Sequence, residues 1–425
     1  MVHRHSATSL FWRYNAASEL TKRLTASSNQ LLSIPLCPVS AWHRGGKPVT
    51  AETTHQLPVI RLTIDSWGIT EVERLSGYPR FKRWRTDRLI FVILDQGCLE
   101  GVTAHFKLGL LRLDLPRNCH GLETWDTPTP PALDRCFFYP ANITSSTQFR
   151  TIELSQTTGF IFFFCYGNLY AVHAHTRVAP CAQSTYQRLS RRRQQSVTWV
   201  YVPISQQDSI AALGARMLLS ERSFSGSTCL LFRMKLGGDV PVGLTSSKPA
   251  KNLLLSKSPP LTIIYDTLEL QTVSVIGAYA AEEADDSPIT PFCHPHVGNA
   301  PFPNACFSLA PLENVSRVSV FNNKQNELCM GILLEYDNGA QRSLGQCRVD
   351  VDPVKYYVKP TRICFRRQNY VRPGSSVSLQ ATMVKSTARC EHSHDEQGWT
   401  CFAMRGELEF WFSIDETKLT AIVDK

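Results

Sequence analysis

The chain has 425 residues, 43% of them hydrophobic, and a net charge of +9. This composition excludes a disordered chain, and the length exceeds one ordinary core, so two or three domains are expected. No run of about 18 uncharged apolar residues occurs, so no helical membrane span is predicted.

In chain order, residues 8–32 place Leu10, Tyr14, Ala17, Leu20 and Leu24 at helical spacing behind a capping Ser9. This predicts an N-terminal helix. A connector rich in proline and glycine follows (Pro35, Pro38, Gly45, Gly46, Pro48), and the two together occupy 1–54. From residue 57 the pattern becomes strands: VIRLTID, RLIFVILD, GVTAHF, LLRLDL, CFFYP, FRTIEL, GFIFFF, LYAVHAH and VTWVYVPI, separated by Gly, Pro, Asn and Asp. Ile204–Leu218 is predicted as one helix with Asp208 near its start. CLLFRMKLGG is predicted as a hairpin turning at Gly237. Residues 237–260 are rich in Gly, Pro, Ser and Lys and predict a boundary between β domains at 55–245 and 258–425. Glu282–Asn304 is a long irregular stretch, acidic and with five prolines. The remainder is again β, ending in ELEFWFSI.

One pattern occurs three times, beginning at Gly101, Gly159 and Gly331: a glycine, apolar alternation, and a second glycine at Gly109, Gly167 or Gly339. Alternate strand residues share a face. Val102, Ala104 and Phe106 therefore share one face, as do Phe160, Phe162 and Phe164, and Ile332, Leu334 and Tyr336. In the second copy the opposite face is apolar too, which predicts burial on both sides. Asp337-Asn338-Gly339 is a turn signal of the primed type. The repeat is either an internal duplication or a coincidence of a hairpin-rich chain. Both predict a mainly β protein of two antiparallel sandwich-like or prism-like domains with a short N-terminal helix.

The segment Cys329 to Arg348 carries a cysteine, a G-φ-φ-φ-x-Y-x-x-G-x-x-R hairpin and a G-Q-x-R tail. Together with the ending GWTCFAMRGELEFWF, it resembles the C-terminal part of uncharacterised proteins of filamentous fungi. That resemblance implies no particular activity. The glycine, apolar alternation, tyrosine and glycine hairpins are also similar to those of jacalin-type lectin modules, which implies a carbohydrate partner. The G-x-x-x-D loop that such lectins use for sugar does not occur here.

No G-x-S-x-G, H-E-x-x-H, G-x-G-x-x-G or phosphate-loop motif is present, so an enzyme is not favoured. Four H-x-H pairs are: His3/His5, His173/His175, His294/His296 and His392/His394. On a strand such a pair faces one way and can chelate one metal. His173/His175 lies on a predicted strand; its bland reading is a satisfied core pair. Cys390, His392, His394 and Cys401 form a cluster of soft ligands that would select zinc, although their spacing matches no standard zinc module. Cys293, His294 and His296 form a second half-site. For each the metal-free reading is favoured, and zinc is the alternative. Asp350-Val351-Asp352 reads as a turn rather than a cation loop.

Trp399 and Trp411 are candidate binding-surface residues, because Trp411 shares a strand face with Glu407 and Glu409; packing in the core or between domains is the favoured reading. The basic run Arg188–Arg193 reads as a solvated loop. It has no aromatic residues interleaved in sequence, so nucleic acid is not an expected partner. The fourteen cysteines contain no C-x-x-C, and the N-terminus shows no signal-peptide core. The reading is a cytoplasmic or nuclear binding protein for a protein or glycan partner. The alternatives are a metal-dependent or metal-stabilised protein, or a structural protein without a ligand site.

Overall fold

The computed structural model describes residues 31–425 apart from 52–56, 83–85, 87, 117–121, 140–147, 219–228, 245–249, 257, 267–270, 281–289, 294–298, 372–375, 390–392, 395–396 and 423–425. The described chain is mainly β, in several largely antiparallel sheets, with two short helices, α1 (Gln183–Arg188) and α2 (Arg191–Gln194). The helix expected over 8–32 lies outside the described residues up to residue 30, and at its end Leu32 instead opens a strand. Among the described residues no helix is long and apolar enough to cross a membrane.

The chain forms two compact units, one of residues 1–136, 141–151 and 264–271, the other of 137–140, 152–263 and 272–425. Residues 238–260, expected as a boundary, supply the strands Gly238–Gly243 and Ala250–Ser256 of one sheet in the second unit.

In the first unit a three-stranded sheet (Leu32–Pro35, Thr103–Lys107, Leu110–Asp114) packs on a larger sheet that contains Val39–His43, Val59–Asp65, Gly68–Leu75 and Ile90–Asp95. The expected connector is thus partly strand. Its apolar residues explain this: Leu36, Val39 and Trp42 are buried in the core beside Val102, Ala104 and Phe106. Trp42 and Phe106 meet at 5.7 Å between ring centroids.

The second unit is layered around the strand Gly159–Cys165, of which every residue is buried. It pairs with Asn168–His175 on one edge and Val197–Pro203 on the other. Phe160 and Phe162 on one face meet Phe232 of the next sheet at 6.0 and 5.7 Å. Ile161 and Phe163 on the other face join Trp199, Tyr201, Phe321 and Cys347. A sheet between two layers must be apolar on both faces, which is why this strand does not alternate.

All three repeated segments are hairpins. The first two turn on two left-handed residues each, Leu108 and Gly109 (φ 52° and 70°) and Tyr166 and Gly167 (φ 49° and 81°). The third differs from the expected primed turn. Only Gly339 is left-handed (φ 83°), and it closes a three-residue loop in which its N–H donates to Tyr336 O at 2.9 Å.

The G-Q-x-R tail has a packing role. Gly345 (φ 73°) lies so close to Phe410 and to Met330 O that there is no room for a Cβ. The fully buried Gln346 accepts the Trp199 backbone N–H at 3.0 Å and donates to Ser413 O at 2.7 Å. Arg348 donates to the Gln346 Oε1 at 3.1 Å and lies over the Trp199 ring.

One expectation is overturned outright. Ile204–Leu218 is not a helix: Ile210–Leu218 is a strand between Cys229–Met234 and Ala250–Ser256. Its alanines and leucines favour helix locally. Hydrogen bonding and burial between two neighbouring strands outweigh that preference, and Ala212, Leu213 and Ala215 are all buried.

Candidate metal centre

The long strand Arg362–Val371 pairs along its length with Ser378–Thr387 and, over its first part, with Thr400–Ala403. Ile363 and Phe365 point into the core, so Cys364 points to the opposite face. The register sets Cys364 directly across from Cys401. His394 reaches the same face: its Nε2 lies 3.2 Å from Cys401 Sγ. The ligand atoms of Cys364, His394 and Cys401 all lie within 4.8 Å of one another. Zinc bonds of about 2.3 Å to sulfur and 2.0–2.1 Å to nitrogen set tetrahedral ligand atoms about 3.5–3.8 Å apart. The cluster brackets that span, with the His394–Cys401 pair at 3.2 Å slightly tighter and no pair wider than 4.8 Å.

The imidazole is held from behind. Trp399 stacks on His394 with ring centroids 4.6 Å apart and planes 14° apart. Two cations also face the indole, with Lys385 Nζ 4.9 Å and the Arg366 guanidinium 5.7 Å from its ring. Burial pushes the Cys364 thiol up to about 12, and the neighbouring Cys401 adds to the shift. Without a cation, the Cys364 thiol in this setting stays protonated. A divalent ion supplies the charge that makes it a thiolate ligand.

Two members of the sequence cluster, His394 and Cys401, are therefore brought together, while Cys390 and His392 lie outside the described residues. Cys364 was not anticipated. It sits alone in RICF, and only cross-strand pairing makes it a neighbour of Cys401. The one local signal is a cysteine between two inward-facing apolar residues of a strand.

The other candidates fare differently. His173 and His175 do share a face, with ring centroids 4.9 Å apart. Both nitrogens of His173 are engaged, Nδ1 with Thr185 Oγ1 at 2.9 Å and Nε2 with Ala179 O at 3.2 Å. His175 donates from Nδ1 to Pro180 O at 2.6 Å, and its Nε2 is buried without a hydrogen bond. Burial lowers the His175 pKa, opposed by the Pro180 bond and by Asp350. The pair is a buried core pair that faces Tyr201, with one lone pair left over, not a chelate. His3, His5, His294 and His296 lie outside the described residues. Cys293 is exposed, and its backbone N–H donates to Asp239 Oδ2 at 2.6 Å. Asp350 is left-handed (φ 60°) in a turn, and Asp352 lies 3.9 Å from Arg348.

Trp411, a binding-surface candidate whose favoured reading is packing, is buried and packs on Phe307 at 4.8 Å in a small cluster with Ala305. The glutamates beside it suggested a solvent face, but Phe302 and Leu309 pack against its cluster. Trp399 is half-buried against His394.

Comparison with protein-family models and with curated proteins gives no match.

Proposed function

We propose that this chain is a cytoplasmic, non-enzymatic binding protein whose second unit is fastened by one transition-metal ion held by Cys364, His394 and Cys401. Soft sulfur and imidazole ligands select zinc. The observation that carries this reading is the convergence of three ligand atoms, drawn from two strands and the segment between them, within 4.8 Å. Such an ion ties the edge strand Thr400–Ala403 and the His394 segment to the central strand, a fastening role rather than a catalytic one. Among the described residues twelve cysteines stand outside any disulfide, which suits a reducing compartment. The hairpin-built sheets and missing catalytic motifs support a protein or glycan partner. On sequence spacing alone, Cys390 and His392 are the candidates for a fourth ligand.

The test is elemental mass spectrometry of the purified, untagged protein. About one zinc per chain is expected, lost in Cys364→Ser and Cys401→Ser, with chelator lowering the melting temperature of the wild type. A metal-free protein whose melting temperature responds to neither zinc nor chelator overturns the proposal. Turnover by the pure protein would count against the non-enzymatic part.

A further inference from the structure

A second surface in the same unit is independent of the metal. Between Glu153 and Asp208 the sequence has no acidic residue and no lysine, but five arginines: Arg177, Arg188, Arg191, Arg192 and Arg193. Four of them fall on α1 and α2. These helices are anchored rather than loose. Thr185 is buried against His173, the Tyr186 hydroxyl donates to Gln194 O at 2.9 Å, and Gln194 Nε2 donates to Leu189 O at 2.7 Å. Arg188, Arg191 and Arg192 are exposed, and among the described residues none of these three pairs with a carboxylate.

The reason to discount nucleic acid from sequence was the lack of aromatics among the arginines. The fold supplies them from the neighbouring hairpin. The Arg193 guanidinium sits 4.2 Å from the Tyr170 ring centroid. Tyr166, at the hairpin tip and 67% exposed, bonds through its hydroxyl to Ser196 just after α2. Burial raises the Cys165 pKa while Arg193 and Arg192 lower it, so both guanidiniums lie near the strand end that leads into Tyr166.

We propose that Arg188, Arg191, Arg192 and Arg193 with Tyr166 and Tyr170 form a binding surface for single-stranded nucleic acid. Guanidiniums pair with phosphate oxygens in forked geometry. Tyrosine rings offer a stacking platform that a base in a duplex cannot use. An excess of arginine in a stretch of sequence with no acidic residue suits a polyanion, and the exposed ring at the tip favours bases over a lipid headgroup.

The experiment is fluorescence anisotropy of the full chain with a short labelled oligouridylate, a duplex of equal length, and phosphatidylserine vesicles as competitor. Saturable binding to the single strand, tighter than to the duplex, is expected. The double variant R191A/R192A, at solvent-exposed positions, should weaken binding at least about tenfold and reduce the slope of log affinity against log salt by about 1.4. Tyr166→Ala should weaken it about 5- to 100-fold, and Tyr166→Phe should leave it near wild type. An unchanged melting temperature in each variant shows that the fold is intact. Absence of binding, equal or tighter duplex binding, an R191A/R192A variant that binds as well as wild type, or preferential capture by the vesicles would each overturn the proposal.

Discussion

Gly345 offers a quantitative test of how the third hairpin is built, because its two costs are separable at other glycines of the same unit. Gly238 is left-handed (φ 74°), but an added Cβ would meet only Arg342 Nη2 at 3.4 Å, an ordinary contact. Gly238→Ala therefore carries backbone strain alone, about 1–2 kcal/mol. Gly331 is not left-handed, yet its Cβ would lie 2.6 Å from the Gln346 carbonyl carbon and 2.7 Å from Cys347 N. These are backbone atoms that cannot rotate away. Gly331→Ala thus carries overpacking alone, about 1–3 kcal/mol. Gly345→Ala carries both: φ is 73°, and the Cβ would meet the buried Phe410 ring and lie 2.6 Å from Met330 O. Summed, the loss is about 2–5 kcal/mol, or about 30- to several-thousand-fold in the opening equilibrium. A chain of two units need not unfold in one step. Hydrogen exchange read by mass spectrometry on peptides covering Cys329–Tyr336 is therefore the assay, since amide protection reports local opening. The expected order of destabilisation is Gly345→Ala above both Gly331→Ala and Gly238→Ala. A Gly345→Ala protein no less protected than Gly238→Ala would refute the close approach to Phe410.

Gln346→Leu should lose about 2–5 kcal/mol, because the Trp199 N–H and Ser413 carbonyl lose their partner inside the core; urea denaturation followed by tryptophan fluorescence checks it, and a loss below about 1 kcal/mol contradicts the bridging role. Trp399→Ala should weaken zinc binding about 10- to 100-fold by freeing the His394 ring, as measured by chelator competition; unchanged affinity would show that the stack does not orient the ligand. His175 has a pKa below its ordinary 6.5, so as pH falls the unfolded chain takes up the proton before the folded one. Its contribution is therefore complete above about pH 6.5 and is lost as pH falls from there towards the folded pKa. His175→Asn retains a donor for Pro180 O and should flatten that part of the stability profile; an unchanged profile would mean His175 titrates normally.

How much of this protein can be read along the chain depends on the range of the interactions involved. The hairpins are legible because their determinants are local. Period-two alternation at Val102, Ala104 and Phe106 and the glycines at Gly109 and Gly167 act within a few residues of one another. Double burial of Gly159–Cys165 is legible for the same reason, since its apolar run admits no solvent face. Where local preference and tertiary demand conflict, sequence reasoning fails. Ile210–Leu218 has helical composition but lies between two strands whose hydrogen bonds it completes. The proline-rich connector hides Leu36, Val39 and Trp42, which are buried only because another sheet covers them. Trp411 sits among glutamates in sequence and among apolar rings in space.

The candidate metal centre divides in the same way. His394 and Cys401 announce themselves by residue type and proximity in sequence. Cys364 becomes their neighbour only through the antiparallel register of Arg362–Val371 with Thr400–Ala403. The arginines of Arg188–Arg193 are plain in sequence, but the tyrosines beside them come from a separate hairpin. Residue chemistry and short-range alternation are properties of the chain itself, so the β class, the hairpins and two of the three candidate ligands are legible there. Which distant side chains share a site depends on strand register and layer packing, set by long-range burial and hydrogen bonding that only the folded chain contains.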